Sequence, residues 1–318
     1  MPSEPTAPEP QTGLSQPLAA DTQSAPQPPH AFQPAGMPAT QPAAQAVAFK
    51  PLPFLQHEFL ADRAARLAAV IVTAMPTSAA AAAEFVAAGE AALAADPHAF
   101  QAVEWRVDYL EQPGLDDSAD TALVARCGAV WQQLQRLQVP ILATVRTRQE
   151  GGGEFDAVAS RYQRLVAELV ELPLAAIDLE HRRDGVPELA ALAAARGITV
   201  VLSHHDWAGT PRQEELVALL RRLTAVACGK QSAVVKVAVT PHTAADVAVL
   251  AAAAREVAPE FDGSLIAIAM GKLGQVTRRL HNDYGSAATF AALTKTSAPG
   301  QLTVAELSAQ REKALRQL

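Results

Sequence analysis

The stretch AVVKVAVTP (233–241) decides how this chain is read. Valine and alanine surround a single lysine, and Thr-Pro closes the run. That is a strand apolar on both faces, the pattern of a parallel sheet covered on each side. Alternation along a strand sets Lys236 on the face of Val234 and Ala238, opposite Val235 and Val237. An amine so placed either runs its stem along apolar surface to reach water or loses its solvation.

Working outward, runs of the same texture recur along the chain: VIVTAM (70–75), VEWRVD (103–108), ILATVR (141–146), AAIDLE (175–180), ITVVLSHHD (198–206), LIAIAM (265–270) and YGSAATF (284–290). With 233–239 they make eight candidate strands. Ala-rich amphipathic segments at 78–95, 121–137, 155–170, 187–196, 212–225 and 243–257 lie between them, several beginning after Ser, Thr, Asp or Pro. Strand-then-helix repetition at about 30 residues per unit, eight times over, fits a closed (β/α)8 barrel better than an open doubly wound sheet. The fold expected is α/β, a (β/α)8 TIM barrel over residues 47–318.

Residues 1–46 differ in kind. They are Pro, Ala, Gln, Ser and Thr with no lysine or arginine and no periodicity, so they lack the apolar area to offset chain entropy. A disordered tail is expected there. It has neither the basic start and apolar core of a secretory signal nor the arginines of a transit peptide.

Bulk properties narrow the function. The net charge is −7, and no basic run with interleaved aromatics appears, so nucleic acid is not an expected partner. No uninterrupted apolar stretch nears the roughly 20 residues that span a bilayer. Cys127 and Cys228 stand far apart with no CxxC spacing, which suggests neither disulfide nor zinc site and suits a reducing cytoplasm. The triple glycine after Glu150 lacks GxGxxG, and GKLG (271–274) lacks the Ser/Thr of a P-loop, so no nucleotide cradle is indicated.

In such a barrel the chemistry gathers at the C-terminal ends of the strands. VEWRVD puts Glu104, Arg106 and Asp108 at alternate positions; ILATVR brings Thr144 and Arg146 to one face, with Glu150 in the loop beyond; SHHD sets Ser203 and His205 on one face and His204 on the other. Glu104 and Arg106 could equally be a structural pair, and His205 a hydrogen-bonded core histidine. For Lys236, burial favours the neutral amine, which attacks carbonyl carbon and forms imines. A histidine on the preceding strand would then move protons, and Glu150 could orient it.

The motifs EWRVD, TVRTRQEGG, DLE, SHHDW, VVKVAVTP, AMGKLGQVTR and GSAATF followed by SAPGQ, in this order and spacing, resemble those of the type I 3-dehydroquinate dehydratases from about Val70 to Gln301. The resemblance implies a homodimeric (β/α)8 barrel that needs no metal or cofactor. It also implies syn elimination of water from 3-dehydroquinate to give 3-dehydroshikimate, a step of the shikimate pathway or of quinate catabolism.

By the same resemblance Lys236 corresponds to the imine-forming lysine, His205 to the general acid/base and Glu150 to its carboxylate partner. Glu104, Arg106 and Arg146 correspond to the polar wall around the ring, Arg278 to the carboxylate clamp, and Ser297 and Gln301 to a closing loop. Three features depart from the family pattern: SHHDW stands for SxHDF, Thr73 stands where serine is common, and the tail is additional. Two other classes compete, a Schiff-base aldolase and a non-catalytic barrel whose tail binds partners; the EWR, EGG and SAPGQ motifs speak against the first, and the intact reactive residues against the second.

Overall fold

The computed structural model of the chain describes residues 52, 69–110, 120–153, 159–227, 233–279 and 281–316. The expected disordered tail, Cys228 and the start of the helix read at 155–170 lie outside the described residues.

Eight principal strands follow one another around a parallel sheet: β1 (Val70–Ala74), β2 (Ala102–Arg106), β3 (Ile141–Thr144), β4 (Ala176–Glu180), β5 (Thr199–Asp206), β6 (Val234–Val239), β7 (Ser264–Ala269) and β8 (Thr289–Ala292). Each from β1 to β6 pairs in parallel with the next, and β8 pairs with β1. A two-residue strand β9 (Leu302–Thr303) extends the sheet beside β8. The gap between β7 and β8 is bridged without a ladder: the Ala287 amide donates to the Leu265 carbonyl at 2.7 Å, and the Ala267 amide to the Ser286 hydroxyl at 3.0 Å.

The helices are α1 (Ala79–Ala95), α2 (Asp120–Leu134), α3 (Ala159–Leu169), α4 (Val186–Ala195), α5 (Gln213–Ala227), α6 (Ala244–Val257), α7 (Gln275–Arg279) and α8 (Val304–Leu315). Their starts carry the capping chemistry the sequence advertises. Ser78 accepts from the Ala81 amide, and Thr243 with Asp246 forms a reciprocal capping box worth about 1 kcal/mol. Pro187 occupies the first turn of α4, where its missing N–H costs nothing.

Alternation along the strands sorts the core into two clusters. Val72, Val103, Trp105, Ile177, Leu202, Val235 and Val237 face the helices, while Ile71, Ala102, Leu142, Ala176, Val201, Val234 and Ile266 fill the barrel interior, with Leu52 packed among them. The interior is apolar at the N-terminal end of the strands and polar towards the C-terminal end, where Thr73, Glu104, Thr144, Asp178, Ser203 and Lys236 are all buried.

Most strand ends shift by one or two residues from the sequence reading, and two shifts bear on the architecture. The last strand is not 284–290 but Thr289–Ala292, because Gly285 turns at φ +74° and the Ser286 hydroxyl takes up neighbouring backbone groups. The second strand ends at Arg106, and Val107–Leu110 forms a 3-10 turn, so Asp108 leaves the alternation and curls back under Arg106.

Candidate active site

An open cavity of about 520 Å³ lies over the C-terminal ends of the strands. All nine residues given a catalytic or binding role by the resemblance line it: Lys236 from β6, His205 from β5, Glu104 and Arg106 from β2, Arg146 and Glu150 from the segment after β3, Arg278 from α7, and Ser297 and Gln301 from the loop before β9.

Lys236 does not sit among apolar groups alone. Its Nζ is 3.2 Å from Asp178 Oδ2 and 3.5 Å from Glu104 Oε1, and it lies 4.6 Å from the centre of the Phe290 ring. Glu104 is in turn held by the Thr73 hydroxyl at 3.0 Å and the Thr144 hydroxyl at 3.1 Å. Asp178 accepts from the Ser203 hydroxyl at 2.6 Å and meets Arg146 Nη2 at 2.8 Å. Burial would raise the Asp178 pKa, but Arg146, Lys236 and the Ser203 hydrogen bond hold it below the usual carboxylate range.

His205 faces the cavity, and its Nδ1 is 2.9 Å from Glu150 Oε2. Burial, then the charges of Arg146 and Lys236, push the imidazole well below its ordinary pKa and keep it neutral. Burial pushes the Glu150 carboxyl up to about 7, with Arg146 opposing. His204 points to the opposite face of the strand, where its Nδ1 lies 3.1 Å from His181 Nε2. Strand parity thus sends only one of the two adjacent histidines into the cavity.

The arginines divide by partner. Arg106 is spanned by both oxygens of Asp108 at 2.8 and 2.7 Å, so its structural partner is Asp108 and not Glu104. Arg146 meets Asp178, Glu180 and Glu150; burial opposes its charge, but these carboxylates more than offset that and raise its pKa. Arg278 is buried with no acidic partner among the described residues, its Nε has no hydrogen bond, and burial lowers its pKa to about 10. A buried guanidinium without a counter-charge is chemically suited to take an anion as its partner.

The loop carrying Glu150 is shaped by glycine. Gly151 adopts φ +81°, and a Cβ there would strike the Trp207 indole; a Cβ on Gly152 would lie 2.0 Å from the Arg146 carbonyl oxygen. Glu180 braces the same loop from below, accepting from the Thr147 amide and hydroxyl at 2.8 and 2.7 Å and from Arg183 at 2.9 Å.

Sequence reasoning assigned no role to Asp178 or Glu180. Their signal was present: AAIDLE sets two acids at alternate positions of an apolar strand, on one face. Among the described residues no group of three or more His, Cys, Asp or Glu could hold a metal ion, and no helix is long and apolar enough to cross a membrane.

These features define a class, a (β/α)8 barrel whose sixth strand presents a buried lysine to a histidine–carboxylate pair and an unpaired arginine. The family model for Type I 3-dehydroquinase matches residues 83–313, and the chain belongs to that family. It is 37% identical over 207 residues to the 3-dehydroquinate dehydratase of Enterococcus faecalis, covering 64% of this chain and 77% of that protein. Its fold is similar to the crystal structure of the enzyme from Geobacillus kaustophilus, with a TM-score of 0.67 and 26% identity over 78% of this chain and 91% of that one. It is also similar to the type I enzyme from Clostridium difficile with covalently modified comenic acid, with a TM-score of 0.66 and 25% identity over 79% and 93% of the two chains.

Proposed function

We propose that this protein is a type I 3-dehydroquinate dehydratase that works through a lysine imine. The observation that carries the reading is that Lys236, the His205–Glu150 pair and the unpaired Arg278 line one cavity. Arg278 binds the substrate carboxylate, a task for which a planar guanidinium is suited. Lys236 attacks the C3 ketone after passing a proton to a neighbouring carboxylate, for which Asp178 and Glu104 are near enough; loss of water gives the imine.

His205, neutral and with Nδ1 engaged by Glu150, takes a proton from C2 through Nε2. The electrons left on C2 are delocalised into the imine as an enamine. Their return expels the C1 hydroxyl, which leaves as water with the proton His205 had taken. Hydrolysis of the product imine releases 3-dehydroshikimate and restores Lys236. Glu104, Arg106 and Arg146 contact the ring oxygens, and Ser297 and Gln301 cover the substrate and keep the imine from premature hydrolysis.

The covalently modified comenic acid in the Clostridium difficile relative supports reading this protein as one that does covalent chemistry. The pathway assignment, to the shikimate route or to quinate breakdown, and the homodimer rest on the family resemblance, and the cytoplasmic reading rests on the separated cysteines.

Borohydride added with 3-dehydroquinate tests the mechanism. Reduction should fix the substrate carbon skeleton on Lys236 as a secondary amine, found by peptide mass spectrometry, and abolish the rise in enone absorbance that marks 3-dehydroshikimate. Labelling of a different lysine, or turnover that borohydride leaves untouched, sinks the imine mechanism.

A further inference from the structure

We propose that Thr73 is a positioning residue that links the loop at 297–301 to Lys236, an inference that rests on the dehydratase reading. Thr73 lies on β1, within reach of the loop, and is buried. It touches neither Lys236 nor Ser297 directly; its hydroxyl lies between Gln301 and Glu104.

The direction of this chain of hydrogen bonds is fixed. The backbone amide of Ser297, which can only donate, reaches Gln301 Oε1 at 2.6 Å, and the Ser297 hydroxyl meets the same oxygen at 3.1 Å. That turns the amide nitrogen of Gln301 to Thr73, where it donates to Oγ1 at 3.3 Å. A hydroxyl has one proton. With a lone pair of Thr73 taken by Gln301, its proton goes to Glu104 Oε2 at 3.0 Å, and the other oxygen of that carboxylate faces Lys236 at 3.5 Å.

The loop itself is held beside Thr73 by its own backbone. Gly300 takes φ +74°, close against the Gly271 carbonyl, and the Gly271 amide donates to the Pro299 carbonyl at 3.0 Å. Closing the loop therefore brings Gln301 to Thr73 and commits the hydroxyl proton to Glu104. The lysine's carboxylate is oriented when the site is covered. Opening the loop removes the donor to Thr73 and leaves the hydroxyl free to rotate. The amine is thus best placed for attack while the loop shields the imine from water.

Three variants test this: T73V removes the hydroxyl at nearly constant volume, T73S keeps it, and Q301A removes the donor. Wild type and variants are compared by steady-state turnover of 3-dehydroquinate and by the rate at which borohydride traps the imine on Lys236. T73V should lower kcat and the trapping rate at saturating substrate by about tenfold, the loss of one hydrogen bond to a charged group, while T73S stays within about threefold of wild type. Q301A should slow trapping as well, through the lost cover over the substrate and through the lost donor to Thr73. The T73V/Q301A double variant should lose clearly less than the product of the two single losses.

The inference fails if T73V traps at the wild-type rate, if T73S falls as far as T73V, or if the two losses multiply in full. Should T73V not fold, T73A takes its place: a wild-type trapping rate overturns the link, and a loss of about tenfold that T73S does not share supports it. A wild-type protein without dehydratase turnover instead overturns the functional reading, and this inference with it.

Discussion

Lys236 Nζ stands 3.2 Å from Asp178 Oδ2, a buried pair that joins β6 to β4 past the strand between them. The same carboxylate meets Arg146, so one acid positions both the amine and a cation of the cavity wall. Asp178→Asn keeps the shape and removes the charge. It should cost on the order of 3 kcal/mol of stability in urea unfolding, since it leaves two buried cations short of a partner. Turnover should fall by about 100-fold, as expected when a reacting group shifts by an ångström.

Glu150 gives a pH-dependent prediction. Its carboxyl is raised in the folded protein to about 7 from an ordinary 4.5. Such a group favours the fold most below its unfolded pKa, and that contribution is lost as the pH rises through the folded value. Glu150→Gln should therefore gain stability relative to wild type between pH 5 and pH 8, as read by thermal unfolding at each pH. Its kcat should be lower, and should lose the acid limb near pH 7 that protonation of Glu150 gives the wild-type profile.

Arg278 sets function against stability. Its buried charge has no acidic partner among the described residues, so Arg278→Met should raise the melting temperature by about 3 °C. The same change should cut kcat/KM for the carboxylate substrate by about 100-fold, because the anion loses its charged hydrogen-bond partner. A variant that loses both stability and activity would contradict the assignment of Arg278 as an unpaired anion site.

Two glycines should respond oppositely to the same substitution. A methyl on Gly152 meets backbone atoms of Arg146 and Thr147 that cannot move without opening the turn after Glu150. Gly152→Ala should cost about 2 kcal/mol or more and impair turnover with it. Gly128 sits inside α2 with nothing within 4 Å of the added carbon. Gly128→Ala should add about 0.5 kcal/mol and leave turnover unchanged.

Much of this arrangement was legible before any coordinates. Strands with apolar residues on both faces and helix starts with visible caps gave the barrel, and the alternation of SHHD separated His205 from His204. What the sequence hid were partnerships across the barrel. Lys236 meets Asp178 from 58 positions away, and spacing along one strand carries no information about who stands opposite on another. Hence the expectation of an apolar surrounding for the amine omitted its two carboxylates. Asp108 was hidden differently: the pattern VEWRVD continues the alternation, while the chain turns at Val107 and gives Arg106 a partner two residues on. At the last strand, Gly285 and Ser286 look like part of an extended run but make the turn and the closing bonds.

The seam between β7 and β8 has a consequence for how the barrel breathes. On this side of β7 the amides of Ala267 and Ala269 donate to hydroxyls, those of Ser286 and Thr277, and not to a neighbouring strand's carbonyls. A ladder amide is freed only when a strand separates, whereas a hydroxyl lets go by turning about one bond. In hydrogen exchange these two amides should lose protection before those of β5 and β6, and the chain should unfasten first here, beside the element that leads into the loop over the cavity.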